Sequence, residues 1–331
     1  MQVLLLGGHG KVALQLTPLL LARSWNVTSV IRNAEHENEI LALGKGAKGK
    51  LSVLLSSLDD IKSDADAKNV LDRVSPDYVV WSAGIAHNTV KTSICTIPPA
   101  HLQVQLKSTH HIQRSIHPTV HPSSPKYHFH PINHPISHNP GAGGKGGPAR
   151  THAIDEVAAK HFLSASFSHP SVRKFLLVSW IGSRRKQPTW LSDDEWAGLQ
   201  NVFYNVLPAY AKAKLEADEY MTALAAARKK LVAAGAAQPL QAINLRPGTL
   251  TDTPATRKVD LGKTKKGRAN VSREDVAIVA DALLARDDVE GWLDLLEGEE
   301  DVEVAVERVA REGVDAVEGE DVEGMVSRFG L

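Results

Sequence analysis

Residues 1–13 read MQVLLLGGHGKVA, and this stretch decides how the rest of the chain is interpreted. The apolar run at residues 1–6 is long enough for one buried strand, and the apolar periodicity after the glycines predicts a helix to about Leu21. A strand, a glycine turn and a helix in this order are the context in which a glycine fingerprint is informative. We therefore predict that residues 1–21 form the first strand–turn–helix unit of an α/β fold.

The glycines fit that fingerprint in two registers. Gly8-x-Gly10-x-x-Ala13 matches G-x-G-x-x-G/A, and Gly7-x-x-Gly10-x-x-Ala13 matches its longer-turn variant. Glycine permits a tight turn and lets backbone N–H groups approach a pyrophosphate, while the helix N-terminus adds partial positive charge. A purely structural glycine turn is the alternative. The residues predicted to bind a dinucleotide here are Gly7, Gly8, His9, Gly10, Lys11 and Val12.

The end of the second predicted strand indicates which dinucleotide is bound. The segment Asn26–Ile31 is strand-like and is followed by Arg32. A site for NAD usually places Asp or Glu near this point to bind the ribose 2′-OH, whereas a guanidinium can clamp a 2′-phosphate. A solvated surface arginine is the alternative interpretation. We predict NADP as the cofactor in preference to NAD.

Composition excludes several classes of protein. The 331 residues have a formal net charge of zero, which argues against nucleic acid or an anionic membrane surface as a partner. No apolar run approaches the ~20 residues of a membrane span, and we expect no secretory signal. The single cysteine, Cys95, excludes an intramolecular disulfide and suits a reducing compartment. We expect a soluble, cytoplasmic protein with one large core, or one core with a small lobe.

Residues 85–140 differ from the sequence on either side. They hold ten of the fifteen histidines and eight of the seventeen prolines, and they hold no Asp, Glu or Gly. Three interpretations remain open: a metal-binding histidine tract, a disordered insertion, and a translated intron. The tract lacks the carboxylates that usually support metal ligands, and we predict no metal site.

The intron interpretation rests on the two ends of this segment. Codons for Gly84-Ile85 can contain a GT donor, and codons for Pro140-Gly141 can contain an AG acceptor. Splicing would join the strand ending near Ser82 to the glycine-rich residues 142–147. We predict that the shorter form binds NADP(H) better and melts at a higher temperature. Sequencing of transcripts across the junction tests this, and retention of the segment in every mature message would contradict it.

The remaining sequence alternates strand and helix patterns. Near-continuous apolar strands are expected at 51–55, 76–82, 172–179 and 240–245, with helices between them and a helix starting at Ser272. This pattern predicts a doubly wound parallel sheet, Rossmann-like, with a small C-terminal helical part. We assign residues 1–286 to this domain and residues 287–331 to an acidic extension packed on it. The segment 301–309 is expected to form a helix with a solvated acidic face, or alternatively a docking surface.

A candidate catalytic group follows the fifth strand. Ser179 ends that strand, and the next long helix carries Tyr210 and Lys214, which lie on one helical face at a spacing of four. A nearby ammonium lowers the pKa of a tyrosine, so Tyr210 could exchange a proton with a carbonyl or hydroxyl oxygen that Ser179 holds. The alternative is a packed Tyr210 beside solvated lysines.

These features together resemble the atypical short-chain dehydrogenase/reductase superfamily and, within it, the NmrA-like NAD(P)-binding group. The resemblance covers nearly the whole chain outside 85–140. Its carriers are the glycine turn, Arg32, the WSAG run at 81–84, Val178-Ser179, the YAKAK run at 210–214 with the ADEY run at 217–220, the LRPGTL run at 245–250 and the SREDVA run at 272–277.

The resemblance implies a dinucleotide along the strand ends. It implies that Ser82, Ala83 and Gly84 line the cofactor, and that Arg246, Pro247 and Gly248 shape the nicotinamide and substrate side. Leu58 lies where relatives contact adenine, but Ser56-Ser57 replaces their usual Gly-Asp. Many relatives also lack a working Tyr/Lys pair.

Two functions are therefore carried forward. The first is an NADP-dependent oxidoreductase acting on a small carbonyl or alcohol. The second is a non-catalytic NADP(H)-sensing protein whose partner binds the acidic C-terminal helix. The sequence does not name the substrate.

Overall fold

A computed structural model describes residues 1–84 and 147–331, and the segment at 85–140 discussed above lies outside them. Nine strands form one sheet in the order β11-β8-β10-β6-β5-β4-β1-β2-β3, and β7 and β9 pair separately. The strands are β1 (Gln2–Leu6), β2 (Asn26–Ile31), β3 (Leu51–Leu55), β4 (Tyr78–Trp81), β5 (Lys174–Val178), β6 (Gln241–Pro247), β7 (Thr249–Thr251), β8 (Lys258–Gly262), β9 (Asn270–Ser272), β10 (Gly291–Glu297) and β11 (Glu300–Asp301).

Helices cover both faces of this sheet. They are α1 (Lys11–Ala22), α2 (Glu37–Ala42), α3 (Asp64–Val74), α4 (Gly147–Thr151), α5 (Ala159–Ser168), α6 (Asp193–Asn201), α7 (Pro208–Ala233), α8 (Arg273–Leu284), α9 (Val302–Glu312) and α10 (Val322–Phe329). None of the helices in the described ranges combines the length and apolarity needed to cross a bilayer.

The predicted doubly wound sheet is confirmed over its parallel strands. β3, β2, β1, β4, β5, β6 and β10 run parallel, while β8 is antiparallel to β10 and β11 is antiparallel to β8. The sequence analysis missed β10, which pairs with β6 inside the sheet. β10 lies within residues 287–331, the segment that was assigned to an acidic extension packed on the same domain.

The alternating side chains of β1 divide the core into two layers. Val3 and Leu5 pack with residues of α1 and α8 on one face. Leu4 and Leu6 pack with residues of α3 and α5 on the other face. Both layers are close to fully buried, which explains why β1 reads as a continuous apolar run rather than an alternating one.

The helical segment between β4 and β5, which the sequence pattern predicts, contains an irregularity. A π-helical segment, His152–Ala158, joins α4 to α5. Such single-turn insertions are frequent at functional sites. This one carries Asp155, which becomes fully buried.

The predicted C-terminal helix is confirmed as α9. Val302, Ala305, Val306 and Val309 form its buried face. On the outer face, Glu303 pairs with Arg257, and Glu307 pairs with Arg286 at 2.6 Å. These ion pairs partly neutralise the acidic face within the chain itself.

Candidate cofactor and catalytic site

The order of the parallel strands reverses between β1 and β4, and the carboxyl ends of these two strands lie at the same edge of the sheet. Open α/β sheets bind ligands in the crevice at this position. Gly7, which follows β1, has φ +81°, and a Cβ there would lie 2.6 Å from Cα of Ala83. Only glycine allows the first turn to pass this close to the end of β4.

Two further glycines shape the turn before α1. A Cβ at Gly8 would lie 1.9 Å from Oγ of Ser29, and a Cβ at Gly10 would lie 3.0 Å from the carbonyl oxygen of Gly7. The turn is closed by a hydrogen bond from the N–H of Gly10 to the carbonyl of Gly7, at 2.8 Å. The backbone from Gly7 to Gly10 therefore forms one tight turn.

The N-terminus of α1 has the properties of an anion site. Gly10 is its N-cap, no side chain caps it, and its first turn contains no acidic residue. By contrast, α8 is capped by the Ser272 side chain and has Glu274 and Asp275 in its first turn. Since the first N–H groups of a helix need acceptors, the residues around α1 fit the phosphates of a dinucleotide.

The other predicted residues of the turn take different positions. Val12 is buried in the core, so it can contribute only its backbone. Lys11 pairs with Asp252 at 2.6 Å, and this contact lowers the pKa of the Asp252 carboxyl. His9 Nε2 lies 3.0 Å from Oε2 of Glu39.

Arg32 lies at the end of β2 as predicted, but it is not isolated. Its Nη1 is 3.6 Å from Oδ2 of Asp59, and its side chain is 53% exposed. Arg150, which the sequence analysis missed, donates two hydrogen bonds to the same carboxylate at 2.8 and 3.0 Å. These bonds lower the pKa of Asp59. Two guanidinium groups therefore share one carboxylate beside the half-buried Leu58.

Lys214 is buried rather than solvated. Its Nζ lies 3.0 Å from Oδ1 of Asp155, and the two side chains are 4% and 0% exposed. The ammonium also donates a hydrogen bond to the carbonyl of Val178 at 3.3 Å. Burial works against the charge on Lys214, but Asp155 and Tyr210 outweigh it and raise the pKa of the lysine.

Gly84 lies against this ion pair. A Cβ at Gly84 would be 3.1 Å from Oδ1 of Asp155 and 3.4 Å from Nζ of Lys214. Ser82 and Ala83 precede it, and the N–H of Ser82 donates to the carbonyl of Leu6 at 3.0 Å. The end of β4 thus connects the glycine turn with the Lys214–Asp155 pair.

Tyr210 is half-buried one helical turn before Lys214. The lysine Nζ lies 5.6 Å from the centroid of its ring, and the Trp180 ring is 6.2 Å away on another side. The expected lowering of its pKa is wrong for this structure. Burial raises the pKa of Tyr210 to about 12, because the opposing effect of Lys214 is offset by Asp155 and Asp218.

Ser179 is buried next to a second acid. The carboxylate of Asp218 accepts a hydrogen bond from the hydroxyl of Ser183, while the Ser179 hydroxyl makes no hydrogen bond to another described residue. Burial raises the pKa of Asp218, although Arg246 and the two serines oppose that effect. Neither Asp155 nor Asp218 was predicted, because an acid in a helix pattern is ordinarily read as solvated.

Arg246 is buried and contacts the loop that follows Ser179. Its side chain is completely buried, and its Nη2 donates to the carbonyls of Ile181 and Ser183 at 2.8 and 3.1 Å. The guanidinium lies 3.9 Å from the ring centroid of Trp292. The Arg246 side chain therefore positions the loop after Ser179, and the expectation that this segment shapes the nicotinamide and substrate side stays a prediction.

Pro247 and Gly248 are likewise packed inside. The Pro247 carbonyl accepts the N–H of Ile181 at 3.1 Å. A Cβ at Gly248 would lie 2.4 Å from the carbonyl oxygen of Ala269, so glycine is needed for packing. The expectation that this segment shapes the nicotinamide and substrate side stays a prediction.

The chain is similar to known proteins in part of its sequence and in its fold. Residues 141–287 match the family described as NAD(P)H-binding. No curated protein matches the chain in sequence. The fold is similar to an NAD-dependent epimerase/dehydratase-like protein from Bacillus halodurans, with 19% identity, 93% of this chain and 99% of that chain covered, and a TM-score of 0.57.

Two other solved structures share the fold. The oxidoreductase ylbE from Lactococcus lactis has 16% identity, with 94% of this chain and 97% of that chain covered and a TM-score of 0.55. A short-chain dehydrogenase/reductase from Veillonella parvula in complex with NADP has 13% identity, with 89% and 94% covered and a TM-score of 0.50. Residues 141–287 therefore resemble an NAD(P)H-binding family, and these solved structures share the Rossmann-like fold of the chain.

The glycine turn provides a direct test of dinucleotide binding. Gly10→Val is expected to abolish binding of both NADPH and NADH, because the valine methyl groups would fill the space at the start of α1. The backbone of Gly10 has φ −68° and ψ 146°, which valine adopts readily, so the sheet should stay folded. Cofactor titration by fluorescence measures binding, and a thermal melt is the control. Retained binding in a folded variant would show that the turn does not hold the phosphates.

Proposed function

We propose that the protein is an NADP-dependent oxidoreductase that acts on a small carbonyl or alcohol substrate. The observation that carries this proposal is the convergence of three groups at one edge of the sheet. Tyr210 lies 5.6 Å from the Lys214 ammonium, which donates to the carbonyl of Val178, the residue before Ser179. A Cβ at Gly84, which follows β4, would lie 3.4 Å from Nζ of the same lysine.

A bound nicotinamide would supply or accept the hydride. Tyr210 is the proton donor when a carbonyl is reduced, and its raised pKa keeps the phenol protonated over the physiological range. Ser179 would orient the substrate oxygen through its hydroxyl, which makes no hydrogen bond to another described residue. Lys214 would hold Tyr210 in position, because the Lys214 ammonium is itself held by the Asp155 carboxylate.

The choice of NADP is supported by Arg32 and its neighbours. Arg32 and Arg150 together carry two positive charges against the single Asp59 carboxylate. A 2′-phosphate placed there would gain charge-assisted hydrogen bonds that a 2′-hydroxyl cannot make. NADP is accordingly the proposed cofactor, and the affinity for NADP(H) is to be compared with the affinity for NAD(H).

Arg32→Ala is expected to reduce the preference for NADPH over NADH. Loss of a charge-assisted phosphate contact should cost about 1.5–3 kcal/mol, which is roughly a 10–150-fold weaker affinity for NADPH. Binding of NADH should change little and serves as the internal control. Isothermal titration of both cofactors measures the effect, and equal affinities of the unaltered protein for the two would contradict the assignment.

The activity itself is tested by following NADPH absorbance with a panel of aldehydes and ketones. Turnover that depends on Tyr210 would support an oxidoreductase. Cofactor binding without turnover across the panel would favour the second candidate, a non-catalytic NADP(H) sensor of the NmrA-like type. The observation that favours this alternative is the pairing of Lys214 with Asp155, which limits how far the lysine can activate Tyr210.

A further inference from the structure

Three side chains that are far apart in the sequence meet beside the glycine turn. His9 belongs to the turn, while His36 and Glu39 follow β2. Their potential ligand atoms all lie within 4.8 Å of one another. The two imidazole rings stack with centroids 3.6 Å apart and an interplanar angle of 8°.

The carboxylate of Glu39 is the centre of this cluster. Its Oε2 lies 3.0 Å from Nε2 of His9 and 3.9 Å from Nδ1 of His36. In a tetrahedral zinc site with bonds of about 2.0–2.1 Å, neighbouring ligand atoms are about 3.3–3.4 Å apart. The two observed distances lie on either side of this value.

The side chains have enough freedom to complete such a site. His9, His36 and Glu39 are 35%, 37% and 59% exposed. Both rings must turn about their Cβ–Cγ bonds to direct their nitrogens at one ion, and this torsion is soft in histidine. Two imidazoles and one carboxylate form a ligand set that suits zinc and leaves one position open.

We propose that His9, His36 and Glu39 bind a divalent transition-metal ion of the Zn²⁺ class. His36 and Glu39 are three residues apart around the start of α2, and His9 comes from the turn after β1. The site is separate from the Tyr210–Lys214 group and does not depend on the proposed oxidoreductase activity. A bound ion would place positive charge beside the turn before α1.

The test is histidine protection in the full chain without any dinucleotide. Carbethoxylation by diethyl pyrocarbonate is measured at each histidine by peptide mass spectrometry, with and without Zn²⁺. Peptide resolution is required because residues 85–140 contribute ten further histidines that can bind zinc. Zn²⁺ is expected to protect His9 and His36, whereas His152, which is 62% exposed and pairs with Glu156, should remain reactive.

Glu39→Gln removes one proposed ligand and keeps both histidines for labelling. In this variant, the Zn²⁺ concentration that gives half-maximal protection should rise by more than the ~10–100-fold that loss of an outer-shell partner costs. Glu37→Gln removes the same charge next to His36 and should protect as the unaltered protein does. Absence of protection in the unaltered protein, or equal protection in the Glu39→Gln variant, would overturn the proposal. Because no dinucleotide is present, neither result bears on the proposed NADP site.

Discussion

Lys214→Met is expected to lower the free energy of unfolding by about 3–5 kcal/mol, the cost of breaking a buried ion pair from one side. The variant would leave the Asp155 carboxylate, which is completely buried, without its ammonium partner 3.0 Å away. It would also remove the hydrogen bond to the carbonyl of Val178. Equilibrium unfolding in urea measures the change.

Two controls separate this effect from a general loss of charge on α7. Lys212→Met makes the same substitution at an exposed position two residues earlier, and it should change stability by no more than about 0.5 kcal/mol. The double variant Lys214→Met/Asp155→Leu removes both charges and should recover most of the lost stability. A Lys214→Met protein as stable as the Lys212→Met protein would show that the buried pair contributes nothing.

Tyr210→Phe is expected to lower the turnover number for carbonyl reduction by about 10²–10⁴-fold, the usual contribution of a general acid. Phenylalanine keeps the ring that packs near Trp180 and removes only the hydroxyl. Binding of NADPH and the melting temperature should therefore change little. Ser179→Ala should have the smaller effect, since it orients the oxygen and transfers no proton.

The pH dependence of the reduction rate is an independent test of Tyr210. With its pKa raised to about 12, Tyr210 stays protonated, so the reduction rate should not fall through loss of this proton between pH 7 and 10. Asp155→Asn removes a charge that raises this pKa and leaves the Lys214 ammonium uncompensated. Tyr210 of the Asp155→Asn variant should therefore titrate at a lower pH, which an ultraviolet difference titration measures. Unchanged turnover in Tyr210→Phe would remove Tyr210 from the mechanism and favour the sensing function.

The sequence by itself determined the elements whose causes are local. Residues 1–13 specify the first strand, the glycine turn and the start of α1, because strand length, glycine conformation and helical periodicity are all properties of neighbouring residues. The later strands were placed to within a few residues, as at β3 and β5. Arg32 could be assigned to the end of β2 because it directly follows Ile31, the last apolar residue of that strand.

The tertiary structure decided which charges are buried and which side chains meet. Asp155 and Asp218 read as ordinary helical acids, yet both are enclosed because α7 and the π-helical segment His152–Ala158 pack against the strand ends. The same packing turned Lys214 inward and raised the pKa of Tyr210, contrary to the expectation from their spacing.

Two further results depended on contacts across the chain. The family resemblance implied that Arg246 helps to shape the nicotinamide and substrate side. Its side chain lies in the interior with Trp292 from β10, a strand that the sequence pattern did not predict. His9 and Glu39 come within 3.0 Å of each other although 30 residues separate them. Local patterns record the period and turn preferences of adjacent residues, whereas burial, ion pairing and ligand clusters depend on which distant segments the sheet order brings together.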